Sequence, residues 1–338
     1  MAESITLTRR TFLREVAAAG FGAMVAGGAR GGSSRPFDDV APEPSRPILD
    51  PNLCVVMSDL HVGQPWAEQT FKTDRSYDYI NDTARRLVAE ILGMKTLPAH
   101  VFVLGDISVC FGEARDYEIA QEILSPLAAA GIRLVVTAGN HDRRAPMAKV
   151  LGDWIAPSPV AGRFASVTRL PTFDMILLDS LVEPDPAADN NSVGRGKCEL
   201  GAEQAKWLDA FLADTARPAL VCAHHPAGSI GINKQMVKSP KVCGFLHGHN
   251  HSWQENILFS SYARKTMIRM VGIPSMGMDR DIGFGVVRAF DDRLELAQVA
   301  RDYYFPVQVP KAERLPLWDR LVKERHGRRL TFPFDKLA

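Results

Sequence analysis

Short apolar runs recur along the chain, each closed by a polar cluster: Leu53 to Met57, Val101 to Leu104, Ile132 to Ala138, Ala219 to Ala223 and Val242 to Leu246. Runs of this length, aliphatic and rich in β-branched residues, predict strands covered on both faces. Between the first three lie segments with helical spacing: Ile80, Ala84, Leu87, Val88 and Ile91 within Tyr77 to Leu92, then Ala114 to Ala130. Strands alternating with helices predict right-handed crossovers and a parallel sheet. The same reading gives a helix ending near Trp154, strands over Arg163 to Arg169 and Met175 to Asp179, and a helix over Ala202 to Leu212. The stretch Pro184 to Gly196, dense in Pro, Asp, Asn and Gly, reads as a long loop beside the strand exits. From Ser252 the texture changes to short alternating segments, Thr266 to Ile273, Gly285 to Phe290 and Leu294 to Ala300. Asp291-Asp292 between the last two predicts a hairpin turn, and the group predicts a second, more antiparallel sheet packed on the first. Leu315 to Arg325 reads as a final helix, and the residues beyond it as a tail.

The beginning of the chain departs from this pattern. Thr8-Arg9-Arg10-Thr11-Phe12-Leu13 precedes a weakly apolar run, Val16 to Ala29, that is rich in Ala and Gly. A basic start, a short apolar run and small residues at its end describe an export signal over residues 1–30. The paired arginines followed by Phe-Leu resemble bacterial twin-arginine signals. That resemblance implies passage through the twin-arginine machinery in the folded state, to the periplasm or outside. The run is too short and too Gly-rich for a membrane span, which needs about 20 apolar residues. Residues 31–47, dense in Gly, Ser, Pro and Arg, read as a flexible spacer. The main domain is then expected over 48–310, with a helix and tail over 311–338.

Composition excludes more than it suggests. The 338 residues, 46% hydrophobic and 23% charged, describe an ordinary globular protein with a sizeable core. Forty basic residues against 39 acidic leave a formal charge of +1, so no long nucleic acid is expected as a partner. The five cysteines show no Cys-x-x-Cys spacing, which speaks against a thiolate metal site. Cys54, Cys222 and Cys243 fall in or beside the apolar runs and read as small buried hydrophobes. Cys110 and Cys198 make a pair that an oxidising compartment would allow to bridge.

The candidate chemistry sits where the apolar runs end. Ser58-Asp59-Leu60-His61, Gly105-Asp106, Gly139-Asn140-His141-Asp142, His224-His225-Pro226 and His247-Gly248-His249-Asn250-His251 each come directly after a predicted strand. Open α/β folds place ligands at the carboxyl ends of strands. Carboxylates, an amide oxygen and imidazoles suit a first-row divalent metal. His141 offers a proton near neutral pH.

This series of Asp-x-His, Gly-Asp, Gly-Asn-His-Asp, His-His-Pro and Gly-His-x-His resembles the calcineurin-like metallophosphoesterase superfamily, over roughly residues 53 to 275. The resemblance implies an α/β fold, a four-layer α/β/β/α sandwich with two packed mixed sheets. It also implies that Asp59, His61 and His251 hold one divalent metal and Asn140, His224 and His249 a second. Asp106 would bridge the two. His141 would face the substrate phosphate and protonate the leaving oxygen, with Asp142 orienting it. The donor set admits Mn, Fe, Zn or Co. Purple acid phosphatases of the superfamily carry a tyrosine three residues beyond the second aspartate, where this chain has Val109, so a tyrosinate-coloured iron site is not expected.

The Gly-Asn-His-Asp-x-Arg run, Leu178-Asp179-Ser180 and Gln204-x-x-Trp207-Leu208 ahead of His224 resemble most the class III cyclic-nucleotide phosphodiesterase and glycerophosphodiesterase branch. The implied activity is hydrolysis of small phosphodiesters by attack of a metal-bound hydroxide, with a phosphomonoesterase or a silent scaffold as alternatives. A homodimer is compatible with this reading. His225 is expected to be structural, at least one of Arg143 and Arg144 an ordinary loop charge, His247 outside the ligand set, and His100 and His326 surface residues.

Overall fold

In the computed structural model each apolar run forms a strand whose alternate residues enter different cores. The structure describes residues 48–64, 77–183, 198–259, 267–304 and 311–334. The segments read from the sequence as an export signal, a spacer and the Pro184 to Gly196 loop lie outside the described residues.

The first half of the described chain runs β1 (Leu49–Met57), α1 (Tyr77–Leu92), β2 (Leu97–Val103), α2 (Ala114–Ala129), β3 (Arg133–Val136), α3 (Arg144–Leu151), β4 (Ser166–Arg169) and β5 (Asp174–Leu178). It continues through α4 (Ala202–Asp214), β6 (Ala219–Ala223), α5 (Ala227–Ile230), α6 (Asn233–Lys238), β7 (Val242–His247), β8 (Glu255–Phe259) and β9 (Met267–Gly272). The last elements are β10 (Arg280–Ala289), β11 (Arg293–Tyr304), α7 (Lys311–Arg325) and β12 (Arg329–Pro333).

Two mixed six-stranded sheets result, ordered β12-β11-β10-β1-β2-β3 and β4-β5-β6-β7-β9-β8. In the first, β1, β2 and β3 are parallel, and β10 joins β1 antiparallel. In the second, β5, β6, β7 and β9 are parallel, with β4 and β8 antiparallel at the edges. Period-two geometry sorts the side chains. Val55, Met57, Val101 and Val103 pack under α1 and α2. Cys54, Val56 and Phe102 face Met175, Leu220, Cys222 and Leu246 between the sheets. Val221 and Phe245 turn outward to Leu208 and Leu212 of α4. This is the α/β/β/α sandwich expected from the sequence.

Two expectations need correction. The alternating C-terminal segments do not make a sheet of their own. β9 extends the second sheet in parallel, while β10 and β11 enter the first as a hairpin beside β1. The hairpin itself is where Asp291-Asp292 placed it. The stretch after α7 is more than a tail, because β12 closes the first sheet and buries Leu330 and Phe332. Phe332 fits there because Gly244 has no side chain, as a Cβ would meet its ring at 2.3 Å. All five cysteines are free, so Cys110 and Cys198 form no bridge. Among the described residues no helix is long and apolar enough to cross a membrane.

Candidate metal centre

The carboxyl ends of β1, β2 and β3 from one sheet meet those of β6 and β7 from the other, and every ligand-type cluster predicted from the sequence lies there. The exits are tied to one another by backbone. Asp59 N–H donates to Gly105 O and His61 N–H to Asp106 O, each at 3.0 Å. Asp59 receives His249 N–H at 3.0 Å on either carboxylate oxygen, and Asp106 Oδ1 receives His141 N–H at 2.8 Å. These contacts need bare glycines. A Cβ on Gly139 would sit 2.2 Å from Asp106 Oδ1, and one on Gly248 would sit 1.9 Å from Ser58 Oγ and 2.5 Å from Asp59 Oδ2.

Two adjacent donor groups form. Asp59, His61, Asp106 and His251 offer ligand atoms all within 4.8 Å of one another, as do His224, His225 and His249. In the first group His61 Nε2 stands 3.0 Å from His251 Nε2 and 3.7 Å from Asp106 Oδ2, and His251 Nε2 stands 3.2 Å from Asp59 Oδ1. In the second, Asn140 Oδ1 lies 3.0 Å from His224 Nε2 and 2.9 Å from His249 Nδ1. Asp106 Oδ2 reaches the second group too, 3.1 Å from His224 Nε2. The geometry therefore brings together all seven predicted donors, with Asp106 between the groups.

The residues fit divalent cations on the evidence of their own contacts. His224 Nδ1 is taken by Leu104 O at 3.0 Å, which leaves Nε2 as its inward donor. His251 Nδ1 is taken by Asp279, again leaving Nε2. Two imidazole nitrogens facing one another beside two buried carboxylates make a nitrogen and oxygen set typical of first-row metals. Burial disfavours charge on Asp59, but His251 outweighs it and holds the carboxyl at about 2. Asp106 is likewise buried and is held well below the usual carboxylate range by His224 and then His141. Against the cost of burial, Asp59 pushes the His251 imidazole up to about 10, and Asp106 pushes that of His224 up to about 9. Burial instead brings His61 down to about 3 and His249 down to about 4.

The backbone of this site is unusual. Six non-glycine residues among those described have positive φ, and five are ligand candidates: Asp59 at 52°, His61 at 47°, Asp106 at 49°, His249 at 68° and His251 at 49°. Left-handed backbone is sparsely populated by side-chain-bearing residues and persists where its surroundings over-determine it. It also explains how residues two apart, Asp59 with His61 and His249 with His251, serve a common site after their strands have ended.

His141 stands beside the first group, its ring 4.9 Å from that of His61 in an edge-on arrangement. Its Nδ1 pairs with Cys110 O at 3.2 Å, so Nε2 is the nitrogen left for chemistry. Asp142 does not orient it. This fully buried carboxylate accepts from the N–H groups of Gly139, Ile107 and Ser108 at 2.8 to 3.3 Å and from the Tyr117 hydroxyl at 3.2 Å. Asp142 thus clamps the β2 and β3 exits together, and the expectation that it acts on His141 is replaced by this structural role. Burial and then Asp106 push its carboxyl up to about 7.

His225 donates to or accepts from Ser180 Oγ at 2.8 Å through Nδ1, with its ring 4.7 Å from His249. His225 is thereby a member of the second donor group as well as a partner of Ser180. Arg144 is bound to Asp179 by two contacts of 2.7 and 2.8 Å and to Glu183 at 3.1 Å, an ion-pair role rather than a phosphate contact. His247 turns its Nδ1 to Gly248 O, outside both donor groups. His326 is exposed beside Arg301, whereas His100 is partly covered by a stacked Phe102. Sequence reasoning misses Asp279, and it quotes Ser180 in a motif without placing it against His225. The available signal for Asp279 is the charged run Asp279-Arg280-Asp281 at the start of β10, at a strand entry rather than at an exit like the others.

Paired mixed sheets with a nitrogen and oxygen donor set at their common carboxyl ends define a metal-site α/β sandwich. Residues 54–253, more than half of the chain, match the model of the calcineurin-like phosphoesterase family, and the chain belongs to that family. Membership implies a metal-dependent phosphoric ester hydrolase with a dinuclear centre. Among solved structures the chain is similar to a dimetal phosphatase from Danio rerio, at 15% identity and a TM-score of 0.55, covering 85% of this chain and 99% of that one. It is also similar to PhoD, at 13% identity and a TM-score of 0.48, over 72% of this chain and 65% of the other. A purple acid phosphatase from seeds of yellow lupin (Lupinus luteus) gives 15% identity and a TM-score of 0.49, over 74% and 51%. At such identities the likeness concerns the fold alone. No curated protein matches.

Proposed function

We propose that the chain is an exported phosphodiesterase acting on small phosphodiesters, of the cyclic-nucleotide or glycerophosphodiester type. The observation that carries this reading is the convergence of Asp59, His61, Asp106, Asn140, His224, His249 and His251 into two donor groups that share Asp106. Asp59, His61, Asp106 and His251 are the residues for one cation and Asp106, Asn140, His224 and His249 for the other, drawn from Mn, Fe, Zn or Co. When bound, such a pair supplies Lewis acidity for the phosphoryl oxygens and acidifies water.

The chain's own groups then have defined work. His249, His251 and His141 are the more exposed members of the site, so the ester enters on their side. Cys110 O fixes the His141 ring so that Nε2 can protonate the departing alkoxide. Buried Asp142 keeps the Asp106 and His141 loops at a constant separation. The preference for diesters draws support from Arg144. Its guanidinium is taken up by Asp179 and Glu183 and is not at hand to neutralise the second charge of a monoester. Val109 at the third place after Asp106 is a buried apolar residue, which leaves no phenolate for a coloured iron site.

One experiment covers both location and chemistry. Expressed at full length in a bacterium with an active twin-arginine pathway, the protein is expected outside the cytoplasm and shortened by its leading segment. After reconstitution with Mn²⁺ it is expected to hydrolyse bis-p-nitrophenyl phosphate faster than p-nitrophenyl phosphate. Strong preference for the monoester would overturn the diesterase assignment, and unprocessed protein retained in the cytoplasm would overturn export.

A further inference from the structure

We propose that Asp279 is a positioning residue that holds His251 in the orientation and tautomer needed to bind a cation. The proposal rests on the reading that the first donor group holds a metal.

His251 is bracketed by two carboxylates. Its Nε2 faces Asp59 at 3.2 Å, and its Nδ1 is hydrogen-bonded to Asp279. The other site imidazoles have weaker support behind them: Leu104 O for His224, Cys110 O for His141 and Ser180 Oγ for His225. His61 Nδ1 is buried without a partner among the described residues. A carboxylate on Nδ1 keeps the proton there, fixes the ring and makes Nε2 a stronger donor to a metal.

Asp279 belongs to a loop built onto this site. Ser275 Oγ donates to Asp59 O at 2.9 Å and Met276 N–H donates to the same oxygen at 3.1 Å. Asp281 N–H donates to His251 O at 2.9 Å, so the loop is fastened to two ligand-bearing exits. Between them Arg280 takes a φ of 55° and donates to Asn250 O at 2.9 Å. Arg325 of α7 pairs with Asp281, which also receives Trp253 N–H at 2.8 Å, so the C-terminal helix anchors the far end of the loop. The whole loop lies beyond residue 253, where the family match ends. Residues beyond that match thus buttress the first donor group from behind.

The test is calorimetric titration of the chelator-stripped full chain with Mn²⁺ alone, for the wild type, Asp279→Asn and Asp279→Glu. Asp279→Asn is expected to weaken one of two binding events by about 10- to 100-fold, the usual effect of removing such a partner, and to leave the other unchanged. Asp279→Glu is expected to recover part of the loss. Cobalt(II) loading gives a second readout, because a reoriented His251 shifts the visible bands of one site only. Unchanged affinities and bands in Asp279→Asn would overturn the proposal, as would equal weakening of both events with a lowered Tm. A wild-type protein that binds no cation would instead overturn the metal reading itself.

Discussion

In the group of Asp59, His61, Asp106 and His251 every residue stands on left-handed backbone, whereas among Asn140, His224 and His249 only His249 does. The groups differ in charge as well. The first carries two buried carboxylates and is backed by a third from Asp279, while the second has the neutral Asn140 oxygen and only a share of Asp106. Left-handed residues cost on the order of 1–3 kcal/mol each, and they persist where neighbours over-determine them. The neighbours are on view: Gly105 O, Asp106 O, Ser275 and Met276 hold the β1 exit, and Asp279 and Asp281 hold the β7 exit. The first group is therefore a pre-built cage, while the second sits mostly on ordinary strand ends. Preorganisation and negative charge both favour a cation, so the first group is expected to bind the tighter of the two.

The most damaging change to this contrast is to the one residue the groups share. Asp106→Asn removes the charge facing His61 and His224. Breaking a buried charged contact costs about 3–5 kcal/mol, or about 10²- to 10⁴-fold in affinity. Calorimetry on the variant is expected to find both cations weakened. Loss of only one would mean the two groups do not depend on Asp106 alike. His141→Ala removes no member of either group and separates binding from chemistry: kcat is expected to fall about 10²- to 10⁴-fold with metal content intact. Wild-type turnover in that variant would remove the proposed proton donor, and loss of metal would place His141 in the cage instead.

The smallest effect is a pH slope. His251 and His224, held at about 10 and about 9, carry protons at pH 7 in the ion-free protein. A cation requires the neutral imidazole, so each group gives up one proton on binding. Affinity therefore rises with pH, by about tenfold per unit for each cation, levelling near pH 9 for the second group and near pH 10 for the first. Binding enthalpies measured in buffers of different ionisation heat count the protons. A count near zero would mean that neither histidine is protonated before the metal arrives.

Much of this architecture is legible in the residue order. Val55 to Met57 and Val101 to Val103 read as buried strands because an apolar run has one cheap place in water, between two covered faces. His61, Asp106 and Asn140 read as ligands because polar residues crowd where those runs stop. The alternating segments after Ser252 are harder. Alternation says that a strand has unlike faces but not which sheet it joins, so the division of β9 from β10 and β11 is invisible in it. Asp142 misleads for a related reason. Adjacency to His141 in sequence suggests contact, but the backbone turns between them and points the carboxylate into the Ile107 and Ser108 amides.

By itself the sequence determined the family, the donor types and their places at strand ends, because those are properties of short segments and their local periodicity. Only the tertiary structure decided that Asp106 lies between the two groups, that five candidate ligands adopt left-handed backbone, and that Asp279, twenty-eight residues beyond His251, closes on its ring. The physical reason is common to all three. Each depends on how far apart two exits are held in space, and that distance is set by the packing of the two sheets rather than by any residue's neighbours along the chain.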